Sequence, residues 1–188
     1  MNEIVRNPLK LNARQFEDMA RKGAFATVGR VELRRGMIAL MSPVYRPHAR
    51  LLRQMLLAWI DVLGARDDGL TVDPGVSVRL ADEFQPTADL VVWSQGVAAA
   101  DAEGPVPADL VRIVIEVADT SVDDDLGEKM IDYARAGVPE YWVADVKGRV
   151  LFIHTGPAPE GYAKRQVVPF GQLAMSPTLG LRVETGGL

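Results

Sequence analysis

The eight residues V-R-I-V-I-E-V-A at 111–118 constrain this chain more than any other stretch. Apart from Arg112 and Glu116 every position is apolar, and the run is rich in valine and isoleucine. Such a pattern marks a central strand buried on both faces, which needs layers above and below it. Glu116 interrupts the pattern. An ionised carboxylate removed from water without a partner costs several kcal/mol, so the fold must compensate it. Residues 88–93, A-D-L-V-V-W, repeat the violation: the strand is apolar except for Asp89. A divalent cation shared by two carboxylates on adjacent strands would supply the compensation. Each residue also has a plainer reading. Asp89 follows Pro86-Thr87-Ala88 and could be a strand-entry turn residue, and Glu116 could be neutral or paired with an arginine. Both violations together favour a metal site.

The elements around these strands define the fold class. Asn12 is a helix N-cap for a short amphipathic segment carrying Phe16, Met19 and Ala20, which Gly23 would end. Residues 31–33 and 37–41 flank Arg34-Arg35-Gly36 as a hairpin. Pro47 opens a longer helix whose apolar face is His48, Leu51, Leu52, Met55, Leu56, Trp59 and Leu63, with Gly64 expected at C′. Strands are expected at 70–72, 76–80, 88–93 and 110–118, the last two separated by a loop over 94–108. A second helix is expected over 124–136, stopped by Gly137 and Pro139. Strands at 141–146 and 150–154 would join at Lys147-Gly148, and 162–168 and 181–184 read as edge strand or irregular chain. This order predicts an α/β domain with a mixed sheet flanked by helices. The chain has 188 residues, which suits one domain spanning 1–188, with 1–30 as an N-terminal helical extension.

Composition narrows the chemistry. The sequence holds no cysteine and two histidines, His48 and His154. Disulfides, thiol nucleophiles, sulfur-ligated zinc and a three-histidine metal site are excluded, leaving a hard, oxygen-liganded ion such as Mg²⁺, Mn²⁺ or Ca²⁺. No apolar run is long enough to span a bilayer and residues 1–30 lack a secretory h-region, so a cytoplasmic protein without a membrane partner is expected. The net charge of −4 hides a split. Residues 29–53 hold six arginines (Arg30, Arg34, Arg35, Arg46, Arg50 and Arg53) against Glu32, whereas 101–145 hold twelve acids against Arg112, Lys129 and Arg135. Such asymmetry permits a basic face for a polyanion beside a cation-attracting one, although two solvated surfaces would look the same.

Two further residues are candidates. Lys129 borders the apolar stripe of Leu126, Met130, Tyr133 and Ala134. It is either a lysine snorkelling along the core edge or an ammonium near the carboxylate pair. His48 lies in the first turn of its helix, where a lone histidine is more often a hydrogen-bonded core residue. There is no nucleophilic-serine motif, phosphate-cradling glycine loop or dinucleotide fingerprint.

The block I-E-V-A-D-T-S-V-D-D-D-L-G-E-K-M-I-D-Y-A-R-A-G-V-P-E-Y-W-V-A-D at 115–145 closely resembles the Uma-type restriction-endonuclease family of the PD-(D/E)XK nuclease superfamily. V-E-L-R-R-G-M-I-A-L-M-S-P followed by His48, and P-T-A-D-L-V-V-W, extend the likeness to about residues 31–183. The resemblance implies a restriction-endonuclease-like mixed sheet flanked by helices and Mg²⁺-dependent hydrolysis of DNA phosphodiesters. Asp89 falls on the motif aspartate and Glu116 on the motif glutamate, which would make them catalytic and the metal ligands. The motif lysine, two residues after the glutamate, is replaced by Ala118, and Lys129 resembles a lysine migrated to the neighbouring helix. Glu32 matches an additional acidic position, while Asp125 and Tyr133 fit as supports. Arg46, Arg50 and Arg53 are candidate contacts to the DNA backbone, and a homodimer is an assembly open to such a protein. Ala118 leaves a rival open, a nuclease fold that has lost catalysis and binds nucleic acid. The sequence pI near 5.2 leaves another, a small acidic metal- or ligand-binding protein.

Overall fold

The structure is a computed structural model that describes residues 8–64, 66–95 and 103–188. Its centre is a seven-stranded sheet in the order β5-β3-β4-β6-β7-β8-β9, made of β3 (Leu70–Arg79), β4 (Thr87–Ser94), β5 (Val106–Pro107), β6 (Val111–Ala118), β7 (Glu140–Asp145), β8 (Val150–Ala158) and β9 (Gly161–Pro169). The β3–β5 and β6–β7 pairs are parallel and the others antiparallel, so the sheet is mixed. Its middle strand, β6, is the apolar run with the single glutamate.

Helices cover both faces. On one lies α2 (Arg46–Gly64), which buries Leu51, Met55, Trp59 and Leu63 against Ile113, Ile115 and Val117. The other carries α3 (Val122–Asp125) and α4 (Glu128–Arg135), whose Tyr133 packs with Val114, Ala118 and Val143. Alternate residues of β6 therefore serve opposite cores, as a strand's two-residue period requires. Glu116 is on the α4 side. The N-terminal α1 (Ala13–Arg21) begins at Asn12, whose side chain accepts from Gln15 N in a reciprocal capping box. Its Phe16 packs with Leu33 of the hairpin β1 (Val31–Arg34) and β2 (Met37–Leu40). No helix among the described residues is long and apolar enough to cross a membrane.

Four local expectations are corrected. Residues 70–72 and 76–80 are not separate strands but one, β3, continued through Pro74-Gly75, where Gly75 adopts φ +64°. A single glycine in the left-handed region can sit inside a strand without ending it, and the register to β4 is the same on both sides of Gly75. The helix expected over 124–136 is two, broken at Gly127, where a Cβ would meet the Asp123 carbonyl oxygen at 2.6 Å. Gly64 is the last residue of α2, not a left-handed C′ residue. The loop expected over 94–108 contains β5, which pairs with Val78 and Arg79; Gly96 lies outside the described residues. The C-terminal tail adds a hairpin, β10 (Leu173–Ser176) and β11 (Leu181–Glu184), whose Ala174 and Val183 join the α2-side core.

Candidate functional site

The site forms where the sheet forks. The β4–β6 ladder ends at Leu90 opposite Ile115, which leaves Asp89 and Glu116 facing each other one step further on. On its other side β4 pairs Leu90 with Pro74 and Ala88 with Val76 in one unbroken register, with Gly75 opposite Asp89. On the β6 flank, where the ladder has ended, side chains supply the bonds. Val117 N donates to Asp89 Oδ2 at 2.8 Å, and Asp89 N donates to Glu116 Oε2 at 3.4 Å. The two acids line the floor of a cleft of about 220 Å³.

Glu116 is 2% exposed. Burial pushes its carboxyl up to about 8, against the opposing pull of Lys129. Lys129, 8% exposed on α4, places Nζ 3.0 Å from Glu116 Oε1 and 3.6 Å from Asp125 Oδ1. Burial works against its charge, but Glu116, Asp125 and Glu32 outweigh burial and hold the amine above its ordinary range. Tyr133 Oη donates to the same Glu116 Oε1 at 3.0 Å. Burial also raises Asp125, which accepts from Ser121 Oγ at 2.5 Å. The break at Gly127 separates the helix carrying Asp125 from the helix carrying Lys129, yet both reach Glu116's side of the sheet. Of the two readings of Lys129, the buried ammonium beside the carboxylate is the one found. Ala118 is fully buried among Tyr133, Tyr141 and Val143.

His48 also belongs to the cleft. Its Nε2 is 3.0 Å from Asp89 Oδ2 while Nδ1 is buried without a partner among the described residues. Its hydrogen bond to the Asp89 carboxylate, opposed by burial, raises its pKa. Glu32 is buried at the cleft wall, accepting from Thr87 N at 3.1 Å, with Arg34 Nε 3.9 Å away. The three arginines singled out for DNA are elsewhere. Arg46 and Arg50 line a separate cavity of about 440 Å³ with Arg149 and Phe170, and Arg53 lines neither space. The cleft instead takes Arg30 and Arg34, the latter paired through both guanidinium nitrogens with Asp124 at 2.9 and 3.2 Å. Both belong to the basic segment 29–53, but no spacing within it distinguishes the arginines that face the cleft.

The donor set suits a hard divalent ion. Asp89 Oδ1 accepts no hydrogen bond among the described residues, Glu116 Oε2 accepts only the long one from Asp89 N, and oxygen is the only donor type on the cleft floor besides the His48 ring and the Lys129 ammonium. No group of three or more His, Asp and Glu side chains among the described residues is arranged to hold a metal. Two carboxylates with water and substrate oxygens completing the shell is the habit of Mg²⁺, which dehydrates reluctantly.

Comparison with known proteins agrees with this architecture. The family model Uma2, described as "putative restriction endonuclease", matches residues 13–185 and so takes in α1, which the resemblance read from sequence left out. None of the curated proteins matches the chain. Among solved structures, a putative nuclease of DUF820 from Anabaena variabilis aligns with a TM-score of 0.68 at 12% identity, covering 90% of this chain and 91% of that one. That likeness shows the expected fold, a mixed sheet flanked by helices, while the sequence match shows the family: this chain belongs to the Uma2 family of restriction-endonuclease-like proteins.

Proposed function

We propose that the chain is a metal-dependent nuclease that hydrolyses DNA phosphodiester bonds, with Asp89 and Glu116 holding Mg²⁺ or Mn²⁺ and Lys129 as the charge-stabilising catalytic group. The observation that carries this reading is the meeting of three independently placed ionisable groups on one cleft floor. Asp89 on β4, Glu116 on β6 and the Lys129 ammonium on α4 converge there. A divalent ion bound by the two carboxylates would polarise a phosphoryl oxygen and acidify water. His48 and Val117 N fix the Asp89 carboxylate from one side, leaving Oδ1 for a ligand. Tyr133 holds Glu116 Oε1 and so sets the direction of Oε2. Lys129 is shared with Asp125 and lies at the cleft, where its charge can balance the negative charge that builds on phosphorus. Arg30 and Arg34 are the cations placed to take a neighbouring phosphate, and Arg46, Arg50 and Arg53 would meet only a longer strand.

The test is hydrolysis of plasmid and oligonucleotide DNA by the wild type in Mg²⁺ and Mn²⁺, beside Asp89→Asn and Glu116→Gln. Metal-dependent cleavage lost in both variants supports the reading, and cleavage unchanged in either overturns it. A second reading rests on Ala118 standing at the motif lysine position. It makes the chain a nucleic-acid-binding module without hydrolysis, and salt-sensitive DNA binding with no cleavage in either metal would favour it.

A further inference from the structure

One rim of the cleft plays no part in the proposed hydrolysis. The chain between β2 and α2, residues 41–45, runs along it. Leu40 at the end of β2 and Val44 and Tyr45 of this segment are 65%, 48% and 64% exposed in that order, and all three line the cleft whose floor holds Asp89, Glu116 and Lys129. Exposed apolar side chains scattered singly need no explanation, whereas a group of them around a polar site marks a binding surface. The Tyr45 ring pairs with no other ring among the described residues. Arg30 and Arg34 line the same cleft. The ligand that fits is flat and apolar at one end and anionic at the other, and a nucleotide unit has both features. Its base can lie against the aromatic ring, and its phosphate can reach the guanidinium groups.

We propose that the rim formed by Leu40, Val44 and Tyr45 stacks against an unpaired nucleobase, so that the site takes single-stranded or locally opened polynucleotide in preference to continuous duplex. In a duplex each base face is covered by its neighbours, and an apolar side chain reaches one only by forcing a step apart. An unpaired strand offers its faces without that cost. This inference rests on the nuclease reading for the position of the phosphate, but base stacking is measurable without hydrolysis.

The experiment is fluorescence anisotropy with a short labelled oligodeoxynucleotide, its blunt duplex and an abasic strand of the same length, in Ca²⁺ to spare the strand. The single strand should bind at least about tenfold more tightly than either of the other two, and Tyr45→Ala should lose about tenfold to a hundredfold for the single strand alone. Tyr45→Trp should retain the affinity, which excludes a folding defect. Equal affinity for strand and duplex, or a Tyr45→Ala loss shared equally by both, would overturn the proposal. Hydrolysis of bis(p-nitrophenyl) phosphate, which carries no nucleobase, reports separately on the nuclease reading. Discrimination between strands without that hydrolysis keeps the stacking rim and refutes the nuclease, and hydrolysis without discrimination does the reverse.

Discussion

Glu116→Gln should change how the stability of the metal-free protein depends on pH. A carboxyl raised from 4.5 to about 8 binds more protons in the folded than in the unfolded chain throughout that window. Stability therefore falls as pH rises from 4.5, and levels off above about 8. At about 1.4 kcal/mol per pH unit, the full loss is on the order of 5 kcal/mol. Glutamine keeps the shape of the side chain, and its amide oxygen can still accept from Tyr133 Oη. Lys129 loses Glu116 in the variant and keeps Asp125 and Glu32 as the charges that hold its amine up against burial. Asp125 is raised by burial in the same way but is present in both proteins, so subtraction removes it. The assay is urea denaturation in EDTA at a series of pH values, read as wild type minus variant. That difference should fall by several kcal/mol between about pH 5 and pH 9, and a flat difference would refute the account of Glu116 as a carboxyl kept from ionising by burial. Adding Mg²⁺ should then raise the stability of the wild type at high pH and leave the variant where it was, because a ligand stabilises only the state that binds it.

The other predictions concern neighbouring groups. Asp89→Asn should abolish Mg²⁺ binding by calorimetry while costing only about 1–2 kcal/mol of stability, since the amide oxygen can still accept from Val117 N. Lys129→Ala should leave metal binding nearly intact and slow cleavage by about a hundredfold, and Lys129→Arg should rescue it poorly because a planar guanidinium is bulkier and spreads the charge that the ammonium concentrates; cleavage at the wild-type rate would end the catalytic role of Lys129. Returning a lysine to the strand by Ala118→Lys should not restore activity to Lys129→Ala, because position 118 is fully buried beside Tyr133 and Val143, and denaturation should show a loss of about 1–3 kcal/mol. Glu140→Ala should cost about 3–5 kcal/mol and expose the C-terminal hairpin to limited proteolysis, because the fully buried Glu140 accepts from Trp142 Nε1, Ser176 Oγ and Thr178 N.

The parts of the fold that follow from local chemistry were legible in the sequence. Asn12 capping α1, the hairpin turning near Arg35-Gly36 and the apolar period of α2 each depend on neighbours in the chain. So did the oddity of Asp89 and Glu116, since a carboxylate in an apolar strand is visible without any partner. Features set by distant segments were not legible. Pro74-Gly75 reads as a strand end, and only the ladder to β4 on both sides shows that the strand runs on through it. Gly127 sits in a good helical pattern, and only the structure shows the break there, with the Asp123 carbonyl oxygen lying where a Cβ would be. Glu140 and Ser176 lie 36 residues apart, and nothing in either segment announces that bond. The arginines show the same limit: their charge is countable, but the face each one presents depends on how the hairpin and α2 are set against the sheet.

The fork between β4 and β6 gives the two acids a second employment. Val117 N and Asp89 N find carboxylate oxygens where the ladder would have offered carbonyls. Asp89 and Glu116 thus mend the sheet at the place where they interrupt it. A descendant of this chain that had abandoned chemistry would still need both side chains to keep its central strands in register. Their presence in a sequence is therefore a weak sign of a working enzyme. Lys129 donates to no backbone group among the described residues, and its bonds run only to the Glu116 and Asp125 carboxyls. In such a lineage the lysine would be the first of the three free to drift, together with the burial of Glu116 that it offsets.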